Sequence, residues 1–190
     1  EVGLHVAAAI RAGVVGVNLE DGVTGGLRPL DEMVARLRAA REVARREGVP
    51  IVLNARSDLM LHEGGDRPTK VRALVERCRA YVAAGADCVY PFGLDDAGTI
   101  EMVAKAVAAP VNVAGRPGMP DAAALGRLGV ARVTIAAAPA LVAMASVRAL
   151  AGTLRNGGDF EGLGGGLSYA EAQALFSNPD QAHVAVERHR

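Results

Sequence analysis

Ala12-Gly13-Val14-Val15-Gly16-Val17-Asn18, Ala84-Gly85-Ala86-Asp87-Cys88-Val89-Tyr90 and Leu128-Gly129-Val130-Ala131-Arg132-Val133-Thr134 repeat one pattern along the chain. In each, an amphipathic helix stops at a glycine and a short apolar strand follows within a few residues. Glycine accepts the left-handed backbone that closes a helix, which accounts for its place there. Two more apolar runs, Pro50-Ile51-Val52-Leu53-Asn54-Ala55-Arg56 and Pro110-Val111-Asn112-Val113-Ala114, open on proline. Proline cannot continue a helix and can begin a strand. Five strands are therefore predicted, starting near residues 14, 50, 87, 110 and 131.

Helical patterns lie between them. From about Leu30 to Glu47, Met33, Leu37, Ala40 and Ala44 share one face with Arg and Glu opposite. From Pro68 to Ala84 the apolar stripe is Val71, Leu74, Val75, Cys78 and Val82. Strands apolar on both faces and alternating with helices indicate parallel βαβ units. The regular helix-glycine-strand unit, with no Gly-rich dinucleotide fingerprint after any strand, favours a TIM-type (β/α)8 barrel over a doubly wound sheet. A full barrel takes about 250 residues, so residues 1–156 are read as its C-terminal portion, about five of eight strands. The expected deficit lies before Glu1, and the chain is expected to begin partway into a larger protein. Residues 157–190 read as a Gly-rich hinge, through Gly164-Gly165-Gly166, followed by a C-terminal helix and polar tail. Ser168 and Glu171 make a capping-box signature for that helix.

Composition narrows the function. Of 190 residues, 51% are hydrophobic and 3% aromatic, with no Trp. Small and β-branched side chains stacked in layers suit this better than large rings do. The 21 basic and 21 acidic residues cancel, which removes the footprint of a nucleic-acid binder. No apolar run is long enough for a membrane span and no signal peptide opens the chain. Cys78 and Cys88 sit in helix and strand patterns without metal-like spacing, as buried thiols of a reducing, cytoplasmic setting would. The expected partner is a small molecule, with neither nucleic acid nor membrane.

In a parallel barrel the chemistry lies at the C-terminal ends of the strands, where residues two apart point the same way. Asn18 and Glu20 share a parity, as do Asn54, Arg56 and Asp58; Asn112 ends the apolar part of the fourth strand. An acid, a guanidinium and several carboxamides at one mouth suit an anion held by an arginine fork and a divalent cation. Plainer readings stand beside these. Glu20 and Arg56 also suit a salt bridge between adjacent strands, and Asn54 and Asn112 suit satisfaction of backbone groups. Asp21 reads as a cap of the following loop, and Asp58 equally as an N-cap or a loop residue. His5, His183 and His189 lie away from strand ends and His62 is isolated in its loop, so no histidine is given a role. Ser57 has no base near it in sequence.

Taken in order, Gly13-Val14-Val15-Gly16-Val17-Asn18-Leu19-Glu20-Asp21, Leu53-Asn54-Ala55-Arg56-Ser57-Asp58, and Arg77 through Ala80-Tyr81 to Ala84-Gly85-Ala86-Asp87 resemble successive landmarks of the isocitrate lyase/phosphoenolpyruvate mutase family. The Val111-Asn112-Val113 strand and Leu128–Val133 continue the resemblance, which runs to about residue 156. It implies Mg²⁺ (or Mn²⁺) at a shell to which Glu20 contributes through water, with Arg56 as the catalytic group on the carboxylate or enolate oxygen. It also implies a homo-oligomer, dimer or tetramer, exchanging C-terminal helices; with Arg56 on the substrate, Asn18, Asn54 and Asn112, from their strand positions, are expected to contact it as well. The implied reaction is C–C (less readily P–C) cleavage of a small 2-oxo or 2-hydroxy carboxylic acid through a metal-bound enolate. The resemblance has gaps. The family's metal-binding Asp residues lie on earlier strands. Gly22–Pro29 carries neither the lyases' Lys-x-Cys-Gly-His motif nor the mutases' Lys- and Asn-bearing gate, and Tyr90-Pro91-Phe92-Gly93 lacks the usual His or Glu. Two alternatives remain: a non-catalytic barrel fragment needing a missing N-terminal segment or partner, and a phosphate-binding barrel using Gly115-Arg116-Pro117-Gly118.

Overall fold

The computed structural model describes residues 1–62 and 64–177, in two compact units that divide after Ala136. In the first unit, α1 (Val2–Arg11) leads to β1 (Gly16–Glu20) and a small hairpin of β2 (Gly22–Val23) and β3 (Gly26–Leu27). Then come α2 (Leu30–Arg46), β4 (Val52–Ser57), α3 (Arg67–Ala83), β5 (Cys88–Pro91), α4 (Ala97–Ala106), β6 (Val111–Ala114), α5 (Ala122–Arg127) and β7 (Val130–Thr134). A 3₁₀ turn, Leu59–Leu61, follows β4.

The five long strands form one parallel sheet in the order β1-β4-β5-β6-β7. Each pairs with the next in sequence, with no reversal of strand order, as a barrel wall requires and a doubly wound sheet does not. The five predicted strands are all present. Three helices, α3, α4 and α5, start at side-chain caps: Asp66, Asp96 and Asp121 accept from the backbone N–H of Thr69, Thr99 and Ala124 at 2.7–2.8 Å. α1, α3 and α5 end where the sequence places glycine, with φ of +87° at Gly13, +105° at Gly85 and +92° at Gly129.

One sheet face is dry. Leu19, Leu53, Ala55, Val89, Val111 and Val113 pack against Met33, Leu37 and Ala40 of α2, Val71, Leu74 and Cys78 of α3, and Ile100 and Val103 of α4. The α2 and α3 residues are the helical stripes legible in the sequence. Both cysteines are free and buried, and burial pushes the Cys78 thiol up to about 12, so it is a packing residue without thiolate character. Arg41 closes the N-terminal end of the sheet: it pairs with Asp87 and donates to the Gly85 and Ile51 carbonyls.

In the second unit, α6 (Ala138–Arg155) is followed by a 3₁₀ turn, Glu161–Gly165, and α7 (Tyr169–Ser177). The 3₁₀ turn falls within the segment read as a Gly-rich hinge. The capping box is realised: the Ser168 N–H and hydroxyl donate to Glu171, whose N–H donates to the Ser168 hydroxyl. No residue of α6 is buried, and Leu141, Val142, Met144 and Val147 are exposed. Among the described residues no helix is long and apolar enough to cross a membrane.

Candidate active site

Strand parity gives the other sheet face a different character. Register places Asn18 beside Asn54 and Cys88, and Glu20 beside Arg56 and Tyr90. Across the sheet, Asn112 pairs with Arg132 and Ala114 with Thr134. The result is two polar rows, the upper one at the C-terminal ends of the strands.

Arg56 is the centre of the upper row. Its Nε donates to Asp58 Oδ1 at 2.6 Å and its Nη1 lies 3.4 Å from Glu20 Oε2. The guanidinium carbon stands 4.0 Å from the centroid of Phe92 and 5.8 Å from that of Tyr90; those rings meet edge-to-face at 5.4 Å. Burial works against the charge on Arg56, but the hydrogen bond and charge of Asp58, with Glu20 behind, outweigh it and hold its pKa above the ordinary arginine value. The group is a permanent cation with a fixed plane, suited to a carboxylate or enolate oxygen. Phe92 gave no signal in the sequence beyond its place in the Tyr90–Gly93 loop.

The lower row is amide-rich. Asn54 Nδ2 donates to Asn18 Oδ1 at 2.9 Å, and the Thr134 hydroxyl donates to Asn112 Oδ1 at 2.9 Å. Asn54 and Asn112 are buried, yet Asn54 Oδ1 and Asn112 Nδ2 have no partner. A buried polar atom left so costs about 1–3 kcal/mol, and neither of these two atoms goes to a backbone group. Asn18, Asn54 and Arg132 line one cleft of about 450 Å³. That Arg132, from the far strand, reaches the cleft beside β1 is a measure of how the sheet curls. The sequence reading had given Arg132 no role.

One sequence reading needs correction, and a second gains a partner. Asp21 does more than cap a loop: it is fully buried and accepts from Ser57, the Asp58 N–H, Tyr81 and Arg77. Asp58 begins the 3₁₀ turn without a side-chain cap and spends its carboxylate on Arg56. His62 joins Asp58, Arg28 and hairpin residues Gly22, Val23 and Thr24 around an open cleft of about 800 Å³, so it is less isolated than its sequence neighbours suggested. His183 and His189 lie outside the described residues.

The fit to a divalent cation is partial. Mg²⁺ takes six oxygens, several of them water, and Glu20, half exposed at the mouth, offers a carboxylate suited to contact through water. No group of three or more His, Cys, Asp or Glu among the described residues is placed to hold a metal ion. Glu20 therefore fits a supporting position and does not by itself make a site.

The sequence profile of the phosphoenolpyruvate phosphomutase family matches residues 1–155. The chain is 35% identical over 115 residues to 2-methylisocitrate lyase of Escherichia coli, covering 56% of this chain and 36% of that one. It is 32% identical over 130 residues to oxaloacetate decarboxylase of Chromohalobacter salexigens, covering 63% and 42%. Among solved structures, a putative lyase/mutase from Burkholderia cenocepacia superposes with a TM-score of 0.84 at 33% identity, covering 94% of this chain and 64% of that one. The chain thus spans less than half the length of those two curated relatives.

Proposed function

The chain belongs to the phosphoenolpyruvate phosphomutase family, and from that premise we propose that it carries the oxyanion-binding part of a lyase acting on a small 2-oxo or 2-hydroxy carboxylic acid. The bond broken is C–C, with P–C the less favoured. The observation that carries the reading is Arg56: a permanent cation oriented on Phe92 at the C-terminal mouth of a parallel sheet, above a row of amides. In decarboxylation or retro-aldol cleavage the electron pair of the broken bond passes into an enolate, and negative charge grows on its oxygen. Arg56 receives that charge, and a donor fixed in place before the reaction stabilises the transition state more than the ground state. Asn18, Asn54 and Asn112 orient the remaining oxygens of the substrate. Glu20 supports Mg²⁺ or Mn²⁺ through water; when bound, the cation would add further stabilisation of the same oxygen.

Oxaloacetate and 2-methylisocitrate, the substrates named by two relatives, both yield pyruvate on C–C cleavage, so one coupled pyruvate assay on the full-length protein tests both. The expected result is Mg²⁺-dependent pyruvate release from one of them, abolished by EDTA and restored by Mg²⁺. A second reading, a barrel portion without activity of its own, is favoured by Val52, 45% exposed on the amide-lined face. Pyruvate release from neither acid, with no heat of Mg²⁺ binding by calorimetry, would select it.

The exposed apolar residues of α6 support the exchange of C-terminal helices between subunits. Light scattering on the full-length protein is expected to give the mass of a dimer or tetramer; a single-chain mass would exclude the exchange.

A further inference from the structure

Asp21 follows Glu20 with opposite parity, so its side chain turns away from the mouth and into the protein, where no solvent reaches it. There its two oxygens take four donors. Oδ1 accepts the Asp58 N–H at 2.8 Å. Oδ2 accepts the Ser57 hydroxyl at 2.7 Å, the Tyr81 hydroxyl at 2.6 Å and Arg77 Nη1 at 3.2 Å. Two donors come from the end of β4 and two from α3. Arg77 also donates to Tyr81 at 3.0 Å and, through Nη2, to the Arg28 carbonyl at 3.0 Å. The Asp21 carbonyl in turn accepts the Arg28 N–H at 2.7 Å. One carboxylate therefore ties together the ends of β1 and β4 and the root of the hairpin.

Stability alone is a weak reason for such a cluster, because a buried ionic group is commonly replaced by apolar side chains without loss. What distinguishes this one is the atom it holds. The Asp58 N–H is fixed by Asp21, and the Asp58 carboxylate takes the Nε of Arg56 at 2.6 Å. From the other side Asp58 lies against Gly22, where an added Cβ would collide with Asp58 Oδ2. Held at its N–H by Asp21 and closed off on the Gly22 side, Asp58 fixes the direction of Arg56 Nε. We propose that Asp21 is a positioning residue, which through Asp58 holds the Arg56 guanidinium over Phe92 in the orientation that meets an anionic ligand; Ser57 and Tyr81 complete its hydrogen bonding. This rests on the reading of Arg56 as the oxyanion group.

The test has two readouts on the full-length protein. The first is the Nε–H resonance of Arg56, displaced by the Phe92 ring current and assigned by its loss in Arg56→Lys. The second is calorimetric affinity for oxalate in the presence of Mg²⁺, oxalate serving as an enolate mimic. Asp21→Asn is expected to move or broaden the Arg56 resonance and to weaken oxalate by roughly ten- to hundredfold, as misplacement of a reacting group does. Ser57→Ala and Tyr81→Phe, each deleting one hydroxyl, are expected to do the same to a smaller degree and serve if Asp21→Asn does not fold. Variants that melt earlier while the Arg56 resonance and oxalate affinity stay as in the wild type would reduce Asp21 to a structural group and overturn the proposal. If wild type does not bind oxalate but the resonance moves in the variants, the oxyanion reading falls and the positioning of Arg56 by Asp21 stands.

Discussion

Replacing Arg56 by Ala is expected to lower kcat/KM by about 10²–10³, the scale on which a single preorganised oxyanion donor contributes. The loss falls mainly on kcat, because the charge that Arg56 meets grows in the transition state. The fold is expected to survive. Arg56 sits on the polar face, outside the packed layer, and its removal leaves Glu20 half exposed and able to find water. Arg56→Lys is expected to recover less than about a tenth of the lost rate. A lysine keeps the charge but has neither the planar fork nor the flat contact with Phe92 that fixes its direction. The measurement is steady-state pyruvate release alongside circular dichroism. Turnover of Arg56→Ala within a few-fold of wild type would remove Arg56 from the chemistry.

The second large effect is on stability. Arg77→Met is expected to cost about 2–4 kcal/mol in urea unfolding, because it leaves the fully buried Asp21 carboxylate without its only ion-pair partner among the described residues. The Ser57, Tyr81 and Asp58 donors remain, which keeps the value below that of an entirely orphaned charge. The same substitution frees the Arg28 carbonyl at the hairpin root. Burial, and then its bond to Asp21, push the Tyr81 hydroxyl well above the usual tyrosine range, so it donates to Asp21 throughout the working pH range. A change in unfolding free energy below about 0.5 kcal/mol, typical of a surface substitution, would show that the network carries little of the fold.

Much of this architecture is written in periodicity. The five strands and the α2 and α3 stripes follow from spacing alone, since Met33, Leu37, Ala40 and Ala44 can share a face only on a helix. Parity likewise put Asn18, Glu20, Asn54 and Arg56 on one face, where the register places them. Parity names a face but not a partner. Nothing local in sequence says that Asp21 meets Arg77 and Tyr81, 56 and 60 residues later, or that Phe92 lies under Arg56. A signal for the first did exist: Arg77 and Tyr81 are four apart on α3 and flank Cys78 on its buried stripe. Polar side chains beside a core position require partners. The hairpin after Glu20 was read as a plain loop because two-residue strands carry no period.

The strand order has a consequence beyond geometry. Every pairing of the five-stranded sheet joins a strand to the next long strand made, so the contacts of the wall are short in sequence. Such a topology has low contact order for a parallel sheet and can assemble as the chain leaves the ribosome, each helix and strand docking on the pair before it. Glu20 and Arg56 then come together as soon as β4 joins β1. Arg56 thus meets Glu20 early, while Phe92, Asn112 and Arg132 join it only as the later strands arrive.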